Sequence, residues 1–144
     1  MSSEPPPEVT RRLGYLLKHA QLRLAELAEP RYEPLGVSGR QLALLLLFAD
    51  GPAQSQQDAA ARLGIDRTSM VALVDELEDK GLVRREVDPD DRRKRVVGLT
   101  AEGRRVVEAG TEATAEAERL LLEPLSARDA ERLRVALRAV VSGN

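Results

Sequence analysis

The sequence predicts a mainly helical chain with one small β-hairpin, and three observations predict it. Apolar residues recur at three- and four-residue spacing along most of the 144 residues, as they do on one face of a helix. Capping residues stand before these stripes at Ser38, Ser55, Asp66, Thr100 and Ser126. Only Leu82 to Leu99 departs from the pattern, with two short apolar runs around a charged, Pro-containing interruption, the mark of two strands and a turn.

Taken in order, Met1 to Pro7 hold three consecutive prolines and no apolar pattern, and are expected to form a disordered arm. A first helix should begin near Glu8. Leu13, Leu16, Leu17, Ala20, Leu24 and Leu27 form its stripe, and Pro30 should end it. Pro34 and Gly36 mark Arg31 to Val37 as a connection. Ser38 and Gln41, three apart, make a capping box for a second helix, and Leu42 to Phe48 is apolar nearly all round, as befits a central buried helix. Asp50-Gly51-Pro52 breaks it, and Ser55 with Asp58 opens a short helix through Leu63.

Asp66 can accept from the free amides of the next first turn, and Met70, Leu73, Val74 and Leu77 give that helix one buried stripe and leave its other face to a partner. Gly81 stands where a left-handed backbone stops a helix at little cost. Leu82-Val83 and Val96 to Leu99 read as two short strands. Thr100 can cap a long helix through Val106, Val107, Ala113, Ala117 and Leu120 to Leu122, ended by Pro124. Ser126 with Asp129 opens the last helix, striped by Leu133, Leu137, Val140 and Val141.

Composition narrows the function. Aromatics are only 2%, so the core must be built from Leu, Ala and Val on helices. A formal net charge of −2 leaves no global basic field to coat nucleic acid, so any binding to DNA must be local. The basic residues concentrate at the hairpin, where Arg92, Arg93, Lys94 and Arg95 run without interruption. The absence of cysteine excludes a disulfide framework, a thiolate nucleophile, a zinc–thiolate site and a cysteine peroxide sensor. With one His and no Gly-rich phosphate loop, the chain lacks the groups of an enzyme, and no cofactor is expected. The longest apolar run, Leu42 to Ala49, is far short of the roughly 20 residues that span a bilayer. A cytoplasmic location without membrane contact is expected.

The stretch Leu63-Gly64-Ile65, then Leu77 to Arg85, Asp88-Pro89-Asp90-Asp91-Arg92-Arg93 and Leu99-Thr100-Ala101-Glu102-Gly103 resembles the MarR family of bacterial winged helix-turn-helix regulators. The spacing from recognition helix through an acidic-then-basic wing to Leu-Thr-x-x-Gly is specific, and the resemblance covers about Thr10 to Val141. It implies a mainly α winged helix-turn-helix with a small β-hairpin wing, flanked by terminal dimerisation helices. Residues 8–144 would then be a single domain, with its DNA-binding part at about 38–100 and dimerisation helices at about 8–29 and 101–142. The terminal stripes carry more apolar surface than the winged part can cover, which also points to a homodimer. Its two recognition helices would meet successive major grooves of double-stranded DNA, roughly 34 Å apart, on a pseudo-palindromic operator.

On the recognition helix, Arg67, Thr68, Ser69 and Ala72 lie away from the stripe: Arg can read guanine, Thr and Ala can meet a thymine methyl, and hydroxyls can reach bases or phosphates. Thr68 and Ser69 can equally support the helix N-terminus. In the wing, Arg93 aligns with the family's minor-groove residue and Asp91 with the carboxylate that braces it, while Arg92, Lys94 and Arg95 would meet phosphates. The resemblance further implies a repressor released by a small, anionic aromatic effector. His19 and Arg23, on one polar strip of the first helix with Arg12 and Glu26, are the candidate ligand residues, and dimer or surface contact is their other use. The alternative function is a winged-helix protein-interaction module without specific DNA binding.

Overall fold

A computed structural model describes residues 4–143. Its helices are α1 (Pro7–Thr10), α2 (Leu13–Tyr32), α3 (Gly39–Ala49), α4 (Gln56–Leu63), α5 (Arg67–Asp79), α6 (Ala101–Leu121) and α7 (Ala127–Ser142). The strands are β1 (Gln54–Ser55), β2 (Val83–Val87) and β3 (Arg95–Leu99), paired antiparallel in the order β1-β3-β2. No described helix is long and apolar enough to cross a membrane.

Two compact units divide the chain. One is Glu29–Ala113, and the other combines the described residues up to Ala28 with those from Thr114 onward. In the first unit the core is assembled from Leu42, Leu44, Leu45 and Phe48 of α3, Met70, Val74 and Leu77 of α5, and Val83, Val96 and Val97 of the hairpin, all buried. Each large side chain so buried contributes about 1.5–3 kcal/mol against its exposed state. Gln41 is the buried polar residue at its edge, and both the nitrogen and the oxygen of its amide are hydrogen-bonded. It completes the capping box with Ser38, donates to Glu76 at 2.9 Å and accepts from Lys80 at 3.0 Å. The start of α3 is thereby tied to the end of α5.

In the second unit Arg134 of α7 pairs with Glu118 at 3.1 Å. The apolar stripes read from the sequence stay largely open to solvent there. Leu13 is 66% exposed, Leu16 51%, Val140 68% and Val141 86%.

Several expectations are revised. Part of the expected disordered arm, Met1 to Ser3, lies outside the described residues; Pro7 at the arm's other end already opens α1, because its fixed φ suits the first helical position. The first helix is interrupted at Arg11 and Arg12 rather than continuous from Glu8: the Arg12 N–H donates to the Val9 carbonyl three residues back, a tighter turn, before the Leu16 N–H donates to the Arg12 carbonyl and the α-pattern resumes. Pro30 does not end α2, which continues to Tyr32. A proline this near a helix end forfeits one hydrogen bond, and the continued turn buries the Tyr32 ring beside Gly39, which leaves room for it. The apolar α3 is not buried all round, since Leu46 is 43% exposed. The first hairpin strand runs from Val83 to Val87 instead of stopping at Val83, its charged residues carried by pairing with β3. The two-residue β1 has no local signature and exists only because Gln54 and Ser55 pair with Val97 and Val96.

Candidate nucleic-acid interface

The exposed end of α5 is built by its cap. Asp66 accepts from the Ser69 N–H at 2.8 Å and from the Ser69 hydroxyl at 2.7 Å. The backbone N–H first, and the hydroxyl second, hold its carboxyl below the ordinary value of 3.8. With the first turn fixed, Arg67, Thr68 and Ala72 are exposed, while Ser69 is half-buried and its proton is committed to the cap. At the other end Gly81, at φ +73°, closes a Schellman motif: its N–H donates to the Glu78 carbonyl and that of Leu82 to the Leu77 carbonyl. The chain therefore turns directly from α5 into β2.

The wing tip is a set of local hydrogen bonds. The Asp88 N–H donates to the Lys94 carbonyl at 3.0 Å, Lys94 N–H to the Asp91 carbonyl at 2.9 Å, and Asp90 N–H to the Asp88 carboxylate at 2.8 Å. The Asp91 carboxylate accepts from the Arg93 N–H at 3.0 Å and faces its Nε at 3.4 Å, although the Arg93 side chain is 92% exposed. Its aim is thus partly set by Asp91 while its guanidinium stays open.

The base of the wing is joined to α6 by Thr100. Its hydroxyl donates to the Gly81 carbonyl at 2.6 Å and accepts from the Gly103 N–H at 3.0 Å, so one side chain caps α6 and grips the turn after α5.

Arg67, Arg93, Lys94 and Arg95 all line one cleft of about 440 Å³, together with Ser55, Gln56, Gln57 and Asp58 at the start of α4. Recognition-helix and wing bases are therefore gathered around one opening. Arg92 instead lies with Val87, Asp88 and Pro89 in a shallow groove at the wing tip. Thr68 and Ala72 do not line the cleft but share the outward side of α5. Gln57 stands on no apolar stripe and in no charged run; the Ser55 cap, which places Gln56 and Gln57 in the first turn of α4, is the sequence signal that locates it.

His19 and Arg23 belong to the other unit and are exposed. His19 stacks on Tyr15 with ring centroids 4.0 Å apart, and Arg23 pairs with Glu26 at 3.5 Å.

A family model described as the MarR family matches residues 35–94. Among curated proteins, a putative transcriptional regulatory protein for the hcr operon of Thauera aromatica is 33% identical over 92 residues, 63% of this chain. The match spans 55% of that relative's own length. Among solved structures, the transcriptional repressor CouR bound to a 23-mer DNA duplex superposes with a TM-score of 0.85 at 34% identity, covering 98% of this chain and 99% of that one. CouR from Rhodococcus jostii RHA1 bound to p-coumaroyl-CoA superposes at 0.79 with 28% identity, covering 94% and 95%. These relatives are regulators, not enzymes.

Proposed function

The chain belongs to the MarR family of winged-helix transcriptional regulators, and from that premise we propose that it is a sequence-specific DNA-binding repressor, acting as a homodimer and released by a small anionic aromatic ligand. The observation that carries this reading is the convergence of Arg67 with Arg93, Lys94 and Arg95 on one cleft of a chain whose net charge is −2. Local positive charge on a weakly acidic protein steers that face to phosphate.

In this reading α5 enters the major groove, with Arg67, Thr68 and Ala72 toward base edges and the acceptor lone pairs of Ser69 left for a base or phosphate donor. Ala72 brings no hydrogen-bonding group, so groove shape and the wing carry more of the selectivity. Arg93, held by Asp91, reaches the minor groove, where a guanidinium suits the negative potential of A·T-rich sequence. Arg92, Lys94 and Arg95 neutralise phosphates. The exposed leucines and valines of α2 and α7 meet their counterparts on a second copy. For the effector, CouR bound to p-coumaroyl-CoA supports an aromatic acid or its thioester, and the Tyr15–His19 stack beside Arg23 offers an aromatic face and a cation to such a compound.

Selection of bound sequences from random duplexes by the full chain tests the reading. Enrichment of a pseudo-palindrome with half-sites one helical turn apart is expected. No enrichment, together with no affinity at low salt, would favour a protein-interaction module instead.

A further inference from the structure

We propose that Arg85 is a positioning residue that locks the recognition helix α5 to wing strand β2 and to α4 without touching DNA itself, so that helix and wing meet one duplex in register. This deepens, and rests on, the DNA-binding reading above.

The sequence presents Arg85 as one more base in a charged hairpin, but its surroundings differ from those of its neighbours. Its side chain is 23% exposed, against 92% for Arg93. Nη2 lies 2.7 Å from Asp75 Oδ1 and Nη1 donates to Glu78 Oε1 at 3.0 Å. Nε donates to Gln56 Oε1 at 2.6 Å, and Nη2 also reaches the Val71 carbonyl at 3.5 Å. The backbone N–H of the same residue donates to the second Glu78 oxygen at 3.0 Å, so Glu78 is held by main chain and side chain together. Val71, Asp75 and Glu78 are spaced by four and three, one stripe of α5 facing β2. The fork of a guanidinium on β2 is able to hold partners on two other elements, α5 and α4, at once.

Geometry explains why this joint matters at the other end of the helix. The ion pairs of Arg85 fall on Asp75 and Glu78 in the latter half of α5, and Lys80, just past its end, bonds to Gln41 and to the Gly36 carbonyl, whereas Arg67 and Thr68 stand exposed in the first turn. Arg67 stands about 12 Å along the helix from Asp75, so a pivot of roughly 10° about this joint moves it by about 2 Å, enough to lose a base contact. Arg85 also neutralises two carboxylates of a helix that must approach phosphate. A purely electrostatic role and a positioning role predict different results when charge is conserved, or when it is removed from the acidic side.

The test compares the parent chain with Arg85→Lys and Glu78→Gln on the selected operator and on random duplex across a salt series. It is joined by a DNA-free measurement: nitroxide labels on Thr68→Cys and Pro89→Cys in this cysteine-free chain, with distances read by pulsed electron resonance. Arg85→Lys, which keeps the charge but not the fork, should lower operator affinity on the order of 10- to 100-fold while random-duplex affinity moves by less than about 3-fold. The salt slope should hold, because no phosphate contact is lost. Glu78→Gln should weaken operator binding even though it removes a negative charge, and leave random-duplex binding equal or tighter. The label distances should broaden in Arg85→Lys at unchanged far-ultraviolet circular dichroism.

Operator affinity retained by Arg85→Lys, or tighter binding to both duplexes by Glu78→Gln, would overturn the positioning role in favour of simple neutralisation. Equal losses on both duplexes with a flatter salt slope would overturn it in favour of a phosphate contact. If the parent enriches no sequence, the DNA-binding reading falls and the labels decide alone: a distribution broader than the parent's upholds the lock, and an unchanged width refutes it.

Discussion

Gly103 has no room for a side chain, because the Leu82 carbonyl oxygen occupies the place where its Cβ would stand. The first turn of α6 is thus pressed against the backbone that leads into the wing. Thr100 completes the joint, its N–H donating to the same Leu82 carbonyl at 3.1 Å. The Leu-Thr-x-x-Gly motif thereby acquires a physical meaning: Thr100 caps, and Gly103 permits the close approach.

Gly103→Ala should accordingly destabilise the chain by roughly 1–3 kcal/mol, the usual cost of overpacking against groups that cannot step aside. Gly110→Ala should be milder, because its Cβ would meet the methyl end of the Leu42 side chain rather than backbone, and the helix gains about 1 kcal/mol from losing a glycine. Urea unfolding of the two variants checks the order; the reverse order would disprove this account of the motif.

The Asp66 cap makes the start of the recognition helix sensitive to acid. Its carboxyl is held below 3.8 by the Ser69 N–H and hydroxyl, so on acidification the unfolded chain takes up this proton first. The cap's contribution is complete above the unfolded value and is lost as pH falls through the depressed folded one. Asp66→Asn keeps an acceptor without titrating, and its melting temperature should fall less than the parent's between neutral pH and about pH 3. Parallel declines in the two proteins would contradict this.

Wing residues should divide by role. Arg93→Ala should cost on the order of 1–3 kcal/mol on the operator, concentrated at A·T-rich flanks, whereas Lys94→Ala should weaken all duplexes alike and flatten the salt slope by about one. Fluorescence anisotropy on matched and random duplexes separates them. Equal effects on both DNAs from both variants would remove the distinction.

Dimerisation through the terminal helices predicts that Leu133→Glu with Leu137→Glu yields a folded monomer by sedimentation. Losing simultaneous engagement of two half-sites should then reduce operator affinity by roughly 100-fold or more. A dimer that survives both charges would place the interface elsewhere.

An anionic aromatic compound that binds the free protein should weaken operator binding by about 5- to 150-fold, and operator must weaken the compound's binding by the same factor. His19→Ala with Arg23→Ala should abolish the response and leave ligand-free DNA affinity intact. Calorimetric titration with aromatic acids and their thioesters provides the check, and an undiminished response in the double variant would exclude this pair.

What was legible in the sequence is what lies within a turn or two of itself. Ser38 and Gln41, Ser55, Asp66, Thr100 and Ser126 announced their helices because a cap reaches only two or three residues ahead. The stripe of Met70, Val74 and Leu77 was readable because helical periodicity is local arithmetic, and the acidic-then-basic wing because its signals are consecutive.

Other features depended on partners distant in sequence. β1 has no pattern of its own and is defined by pairing with β3; α2 passes Pro30 because the next turn buries Tyr32. Arg85 and Arg93 are the same residue type eight positions apart in one charged hairpin. One is bound to Gln56, 29 residues away, while the other stays open beside Asp91. The sequence by itself determined the caps, the stripes and the place of the positive charge, since each arises from neighbours along the chain. Only the tertiary structure decided which bases are left free and which are spent as joints, because that depends on carboxylates, carbonyls and amides that folding alone brings within hydrogen-bond reach.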